Sequence, residues 1–246
     1  MSRPENRASD APPAFASRLR GVLFDAGNTL LWIDHARVAK IITAAGLPTT
    51  EAAVRDAEMR ARPRLDPLLG RVPKRESPHV FRAHIAFILE HLGGAEPDVL
   101  ERAANGVADA WGTLWICPPS DAHTTLRTLR DRGYATACVS NSNGKVDRLL
   151  AAADLDVLLD DVIDSGALGI EKPDPRIFTI AAERIGIPPA ELMYVGDLHA
   201  LDIVGPARAG MHAALLDPIA AFAVFEAPKL RTLSDLLGWL PGPPNR

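Results

Sequence analysis

The chain has 246 residues, of which 47% are hydrophobic and 24% are charged, and its formal net charge is -4. This composition is typical of a soluble globular protein, and the acidic excess argues against a protein that binds nucleic acid through a basic surface. No apolar stretch is long enough to span a membrane, which argues against a membrane partner. Residues 1–19 lack the apolar core of a signal peptide and the chain has only two cysteines. We therefore expect a flexible N-terminal extension on a cytoplasmic protein.

The first strand signal is the apolar run at residues 21–24, which ends at Asp25. No convincing strand follows it for about eighty residues, because the apolar positions there recur with helical spacing. The helical patterns lie at residues 35–45, 50–61, 78–92 and 97–111, with breaks at 46–48, 63–73 and 93–94. These patterns therefore predict an all-helical insertion after the first strand.

We predict that residues 35–115 form a helical cap inserted into a core made of residues 20–34 and 116–246. Trp32 and Trp115 flank the insertion on its two sides. Large aromatic side chains at such crossing points pack readily, so we expect both to pack at the hinge between cap and core.

The rest of the chain alternates between short apolar runs and helical patterns. The runs lie at 135–139, 162–163, 192–195 and 213–216, and the helical patterns at 121–132, 145–153, 175–185 and 200–209. Ser120 is a candidate N-cap for the first of these helices, and Thr232 for a closing helix at 232–240. The alternation predicts an α/β fold, a doubly wound, Rossmann-like parallel sheet with helices on both faces.

Polar residues follow the predicted strands at the points where the strands end. Asp25 follows the first strand, Ser140 and Asn141 follow the second, and Asp197 follows the run at 192–195. Each has an ordinary alternative as a loop or cap residue. Because ligands of open α/β sheets bind at the carboxyl ends of the strands, the set as a whole predicts a single site there.

Four motifs in this order resemble the haloacid dehalogenase-like hydrolase superfamily over about residues 20–240. They are Phe24-Asp-Ala-Gly-Asn-Thr-Leu30, Val139-Ser-Asn141, Lys172-Pro-Asp-Pro175 and Val195-Gly-Asp197 extending to Asp202. The helical insertion after the first motif is similar to the cap that many members carry there. The resemblance implies a hydrolase that forms an aspartyl-phosphate intermediate on a small phosphorylated substrate.

The resemblance also implies a role for each motif residue. Asp25 would be the catalytic nucleophile, with Lys172 as a catalytic and substrate-binding cation and Ser140 and Asn141 as further substrate ligands. The expected cofactor is Mg²⁺, because paired carboxylates suit a hard divalent ion and the metal offsets their repulsion of phosphate. Its ligands would be Asp25, the backbone carbonyl of Gly27, Asp197 and Asp202.

One departure leaves the activity open. Phosphatases of this superfamily usually carry an acidic residue two positions after the nucleophile, and here that position is Gly27. His199 is a candidate substitute acid, although it also suits the exposed first turn of a helix. Dehalogenase-like chemistry is an alternative, as is phosphonatase-like chemistry with Lys40 or Lys74 as the cap lysine.

A third alternative is a catalytically weak phosphate-binding member. Gly196 and Asp197 favour the magnesium-dependent branch, because dehalogenases tend to have serine or asparagine in place of the aspartate. The sequence leaves a monomer and a homodimer equally open.

Overall fold

The computed structural model describes residues 12–69 and 78–242. Its strands are Gly21–Phe24 (β1), Trp32–Ile33 (β2), Trp115–Cys117 (β3), Ala135–Ser140 (β4), Asp161–Asp164 (β5), Leu192–Gly196 (β6), His212–Leu216 (β7) and Lys229–Leu230 (β8). Its helices are His35–Ala44 (α1), Glu51–Leu69 (α2), Pro78–His91 (α3), Pro97–Ala110 (α4), Ala122–Asp131 (α5), Val146–Ala152 (α6), Ser165–Leu168 (α7), Pro175–Ile185 (α8), His199–Asp202 (α9), Val204–Arg208 (α10) and Leu236–Trp239 (α11). Among these residues, no helix combines the length and the apolar character needed to cross a bilayer.

Six strands form one parallel sheet in the order β5-β4-β1-β6-β7-β8, which confirms the predicted α/β fold. All four residues of β1 are buried, as expected for a central strand covered on both faces. Successive side chains alternate between two hydrophobic clusters: Val22 and Phe24 belong to one, and Leu23 to the other. Phe24 is in register with Cys138 of β4 and Val195 of β6, so three strands end side by side.

The inserted helices α1 to α4 pack around a hydrophobic cluster of their own. Its buried members are Ile33, Val38, Ala39, Ile42, Val54, Ile85, Leu89, Ala103, Val107 and Leu114. The two crossings into the core pair as an antiparallel ribbon, with Trp32 opposite Cys117 and Ile33 opposite Trp115. Sequence analysis missed this ribbon because two or three residues are too few to show strand periodicity.

Helix α2 overturns one predicted boundary. We expected a break at residues 63–73, but the helix continues through Pro63 and Pro67 to Leu69. Proline disfavours a helix interior because it lacks an N–H and crowds the preceding turn. Tertiary packing outweighs this cost, since Leu65 and Leu69 share a buried cluster with core residues. The rest of the predicted break lies outside the described residues.

Three smaller predictions concern the ends of the core. Ala16 and Leu19 pack into the core, so at least part of residues 12–19 is not a free extension, whereas residues 1–11 lie outside the described residues. The N-cap of α5 is Asp121, so the assignment to Ser120 is wrong. The predicted N-cap at Thr232 is confirmed, and with Asp235 it forms a capping box ahead of a short 3-10 turn and α11.

Two further differences concern residues 200–230. The single helix predicted at 200–209 is split at Ile203 into α9 and α10. The outermost strand of the six-stranded sheet, β8, was not predicted because it has only two residues.

Candidate active site

The residues predicted to form the site come together at the carboxyl ends of β1, β4 and β6. Asp25 follows β1, and its backbone N–H donates to the carbonyl of Val195 in the neighbouring strand, at 2.8 Å. Asp25, Lys172, Asp197 and Asp202 are each at most 1% exposed. Four ionisable groups are therefore held in a space from which water is largely excluded, where their mutual interactions are strong.

Lys172 is the centre of this group. Its Nζ donates to Asp25 Oδ1 at 2.6 Å, to Asp202 Oδ1 at 2.7 Å and to the Tyr194 hydroxyl at 2.8 Å. An ammonium has three N–H donors, so these protein acceptors match all of them. Lys172 thus fixes the position of Asp25, and a direct contact with substrate stays a prediction.

Tyr194 is a site residue that sequence analysis missed. It lies in β6, and its hydroxyl donates to the carbonyl of Val139 at 2.6 Å while accepting from Lys172. The strand was interpreted as uniformly apolar. The signal was the phenol itself, because a buried tyrosine usually needs a partner for its hydroxyl.

Asn141 positions the backbone of Lys172. Its side-chain amide donates to the Lys172 carbonyl at 2.9 Å, and its Oδ1 accepts from the Lys172 N–H at 2.7 Å. The two hydrogen bonds join the loop after β4 to the loop before α8. Substrate binding by Asn141 stays a prediction, as it does for Ser140, which is buried at the end of β4.

Asp202 holds the turn that carries Asp197. Its Oδ2 accepts from the backbone N–H groups of Asp197 at 3.1 Å and Leu198 at 2.9 Å. A Cβ added at Gly196 would lie 2.4 Å from the Asp202 carboxyl carbon. Glycine is therefore required for this close approach, which accounts for the Gly-Asp pair at the end of β6.

Asp197 is the acid of this group whose hydrogen bonding is least complete. Its Oδ1 is buried without a hydrogen-bond partner among the described residues. Burial raises the pKa of Asp197, attraction to Arg62 opposes this, and repulsion by Asp202 and Asp25 adds to it, so that the pKa rises to about 7. Burial and the nearby Asp25 also raise the pKa of Asp202, against the attraction of Lys172.

The arrangement fits a divalent metal ion. Carboxylate oxygens of Asp25, Asp197 and Asp202 lie within 4.8 Å of one another. Three acids face the single ammonium of Lys172, and the unpartnered Oδ1 of Asp197 lies in the same group. Oxygen ligands with excess negative charge are what Mg²⁺ prefers. The backbone carbonyl of Gly27 as a further ligand stays a prediction.

The insertion contributes a second buried charge cluster, which sequence analysis also missed. Arg62 donates through Nε to Glu58 Oε1 at 2.9 Å and through Nη2 to Oε2 at 2.5 Å, and both residues are at most 2% exposed. Asn28, in the loop after β1, donates to Glu58 Oε1 at 3.0 Å. His84 Nε2 and His35 Nε2 lie 3.5 and 3.9 Å from the same carboxylate.

These contacts keep Glu58 ionised. Burial alone would raise its pKa, but Arg62 and the two histidines together hold the pKa well below its usual range. Glutamate and arginine four residues apart are typical of an exposed helix face. The signal that could have found them is their spacing from Val54, Ala61 and Leu65, which puts both charges on the apolar face of α2.

Arg62 links the two clusters. Its Nε lies 3.6 Å from Asp197 Oδ2. This separation is longer than a hydrogen bond, yet the attraction is strong because both groups are buried. The docked insertion thus places the guanidinium of Arg62 beside Asp197, whose Oδ1 has no hydrogen-bond partner among the described residues.

Sequence analysis also named His199 as a candidate acid and Lys40 and Lys74 as candidate cap lysines. His199 Nδ1 is 3.4 Å from Asp66 Oδ2 of α2, and its ring centroid is 4.8 Å from that of Phe225. It therefore contributes to the contact between insertion and core. Lys40 is exposed and lines a surface groove of about 450 Å³ beside residues 49–51, while Lys74 lies outside the described residues.

The comparisons with known proteins agree with this geometry. A family model described as haloacid dehalogenase-like hydrolase matches residues 19–210, which is most of the chain. This chain is a haloacid dehalogenase-like hydrolase. The resemblance inferred from the four motifs is therefore confirmed, and the protein is an enzyme of the hydrolase class.

Relatives of this hydrolase include both phosphatases and dehalogenases. Glyceraldehyde 3-phosphate phosphatase of Methanopyrus kandleri is 33% identical over 130 residues, which cover 52% of this chain and 55% of that protein. (S)-2-haloacid dehalogenase 1 of Pseudomonas sp. (strain CBS-3) is 34% identical over 152 residues, 61% of this chain and 64% of that protein. The chain thus spans less than two thirds of the length of either curated relative.

A solved structure shares the fold over nearly the whole chain. The HAD phosphatase from Thermococcus onnurineus superposes with a TM-score of 0.59 at 24% identity, covering 92% of this chain and 99% of that one. At this identity the likeness concerns the fold alone. It agrees with the parallel sheet and its flanking helices.

Proposed function

We propose that this hydrolase is a magnesium-dependent phosphatase that acts on a small phosphorylated metabolite. The observation that supports it best is the buried, unpartnered Oδ1 of Asp197 among acids that outnumber Lys172. Excess negative charge in a buried site is stabilised when a cation binds there. Phosphatase activity of the relative from Methanopyrus kandleri supports the same choice.

In the proposed reaction a carboxylate oxygen of Asp25 attacks phosphorus. The new bond from oxygen to phosphorus forms as the ester bond breaks, and the leaving oxygen departs with the bonding electron pair. Lys172 holds Asp25 in line through the 2.6 Å hydrogen bond, which removes the cost of orienting the nucleophile. Mg²⁺ held by Asp25, Asp197 and Asp202 would supply positive charge that lets a carboxylate approach a phosphate dianion.

Hydrolysis of the acyl phosphate completes the cycle. Water adds at phosphorus, phosphate departs, and the carboxylate of Asp25 is restored, so Asp25 is consumed and regenerated once per turnover. Arg62 lies beside Asp197 and is suited to balance the charge of phosphate oxygens when the insertion is docked. We assign Ser140 to the binding of a phosphate oxygen, in keeping with its place at the end of β4.

A second candidate is dehalogenation on the same nucleophile. The relative from Pseudomonas with 34% identity supports it, and so does the glycine at position 27. The acid at Asp197 argues against it, because displacement of halide by a carboxylate needs no metal. Phosphonatase-like chemistry loses one of its two candidate lysines, since Lys40 is exposed at a surface groove.

A metabolite panel tests the proposal. Release of inorganic phosphate and of halide is measured for phosphate monoesters and 2-haloacids, with Mg²⁺ and with excess chelator. We expect phosphate release that requires Mg²⁺ and is lost in Asp25→Asn. Halide release that persists in chelator would establish the dehalogenase instead. Binding of phosphate without turnover of any ester would establish a binding protein.

A further inference from the structure

The space above Gly27, two residues after the proposed nucleophile, is filled by an aromatic ring. A Cβ added at Gly27 would lie 3.1, 3.4 and 3.5 Å from three carbons of the six-membered ring of Trp115. The shortest of these distances is tighter than ordinary van der Waals contact, so a side chain here requires the ring of Trp115 to move by a few tenths of an ångström. The backbone of Gly27 does not have a positive φ, so space rather than conformation favours glycine.

Trp115 is held in this place by other aromatic residues. It lies in β3 opposite Ile33, at the crossing from the insertion into the core. The ring of Trp111 meets it edge to face, with centroids 5.2 Å apart and planes at 90°. Phe81 packs on Trp111 in turn, at 4.5 Å. We call Trp115, Trp111 and Phe81 the aromatic wall, and each of its members is only partly buried.

Resting on the proposed phosphatase function, we propose that Trp115 is a specificity-determining residue that contacts the leaving group. The substrates it selects are phosphate esters whose leaving group is flat, apolar and stable as an anion, namely aryl or enol phosphates. The aromatic wall supplies the apolar contact surface. The ring edge of Trp115 occupies the position from which a side chain at residue 27 could otherwise reach the leaving oxygen.

Proton balance leads to the same class of substrate. Residue 27 has no proton to give, His199 lies against α2 with its Nδ1 3.4 Å from Asp66 Oδ2, and the N–H groups of Lys172 are matched by three protein acceptors. The leaving oxygen therefore departs as a phenolate or enolate and takes its proton from solvent afterwards. General acid catalysis typically contributes roughly 10²- to 10⁴-fold in rate, so esters of simple alcohols are at a disadvantage of that order.

Binding of non-hydrolysable phosphonates separates this inference from turnover. Phenylphosphonate and ethylphosphonate are titrated into the full chain with Mg²⁺ by calorimetry. We expect phenylphosphonate to bind roughly tenfold more tightly, because a ring contact on tryptophan adds to the apolar area buried. Trp115→Ala should remove this preference, and Trp115→Phe should retain most of it. Trp32→Phe, on the opposite strand of the ribbon, is the matched control.

The outcomes distinguish the two proposals. Equal binding of both phosphonates, or a preference that survives in Trp115→Ala, would overturn the role of Trp115 and leave the phosphatase proposal standing. If neither phosphonate binds to the wild-type protein with Mg²⁺, the phosphoryl site itself is overturned, and the inference with it. Should Trp115→Ala fail to fold, Trp115→Leu keeps the bulk without the flat ring and is expected to lose the preference.

Discussion

Two buried charge clusters meet at Asp197, and they are built in opposite ways. The core cluster of Asp25, Lys172, Tyr194 and Asp202 joins loops and strands far apart in the chain. The insertion cluster centres on Glu58 and Arg62, one turn apart in α2. Sheet register brings the residues of the core cluster together. The helix geometry of α2 brings Glu58 and Arg62 together, and docking of the insertion places that pair beside Asp197.

The two clusters also differ in charge. Acids outnumber the lysine in the core cluster, while Glu58 and Arg62 balance each other, with a further hydrogen bond from Asn28 and two histidines within 4 Å. The core cluster therefore keeps an excess of negative charge, whereas the charges of the Glu58–Arg62 pair balance within the insertion. This difference indicates that the core carries the chemistry and that the insertion presents a preassembled guanidinium to it.

The largest effect is expected from the core nucleophile. Asp25→Asn should abolish hydrolysis with the fold intact, because an amide matches the carboxylate in shape but cannot form an acyl phosphate. Steady-state phosphate release and thermal melting measure the two parts. The exposed control Asp131→Asn should leave both unchanged. Turnover within tenfold of the wild type, at unchanged melting, contradicts the covalent role.

Breaking the insertion cluster should cost stability. Glu58→Gln removes the carboxylate that Arg62 hydrogen-bonds and leaves only the longer contact with Asp197, so it should lower the free energy of unfolding by about 3–5 kcal/mol. Glu90→Gln is the matched control, because Glu90 pairs with Arg64 at 2.5 Å with both side chains exposed. Exposed pairs contribute at most about 1 kcal/mol. Urea unfolding of both variants makes the comparison, and equal losses would contradict the buried cluster.

The electrostatics of Asp197 predict a pH dependence of stability. Its pKa is raised to about 7 in the folded protein, so folding stability is fully present below the ordinary carboxyl pKa of about 4 and falls as the pH rises through 7. Without metal, Asp197→Asn should therefore be more stable than the wild type at pH 8, by about 2–4 kcal/mol, and nearly equal at pH 4.

Magnesium sharpens this test. Added Mg²⁺ should stabilise the wild-type protein at pH 8 and leave Asp197→Asn unchanged, because a ligand stabilises only the state that binds it. Asp109→Asn, on the exposed side of α4, serves as the control. A wild-type melting temperature that is independent of both pH and Mg²⁺ would contradict the assignment of Asp197 to the metal.

The smallest effect concerns the contact between Gly27 and Trp115. Sequence alone predicts that Gly27→Asp raises turnover of alkyl phosphates more than of aryl phosphates, because it adds a general acid. The ring of Trp115 occupies the required space, so we now expect this gain, of about tenfold, only in Gly27→Asp combined with Trp115→Ala. Kinetics of both variants on both ester classes measure it. A full gain in Gly27→Asp alone would show that the ring yields freely.

Much of this hydrolase could be predicted from sequence because the signals are local. Apolar runs gave β1, β4, β6 and β7, and the polar residue that follows a strand lies at the sheet edge whatever the rest of the chain does. The strand ends grouped Asp25 with Asp197, and the resemblance of the four motifs to this superfamily added Lys172. The N-cap at Thr232 is equally local and was likewise predicted correctly.

Only the tertiary structure decided how these residues are used. Nothing local to Tyr194 shows that its hydroxyl meets Lys172, and the helix pattern of α2 cannot show that Arg62 faces Asp197. The sequence likewise presented Gly27 as a missing acid, whereas packing shows it as a contact with Trp115. Periodicity indicates which face of an element is buried, but the partner across that face depends on how distant elements dock. The same docking stabilises α2 across Pro63 and Pro67.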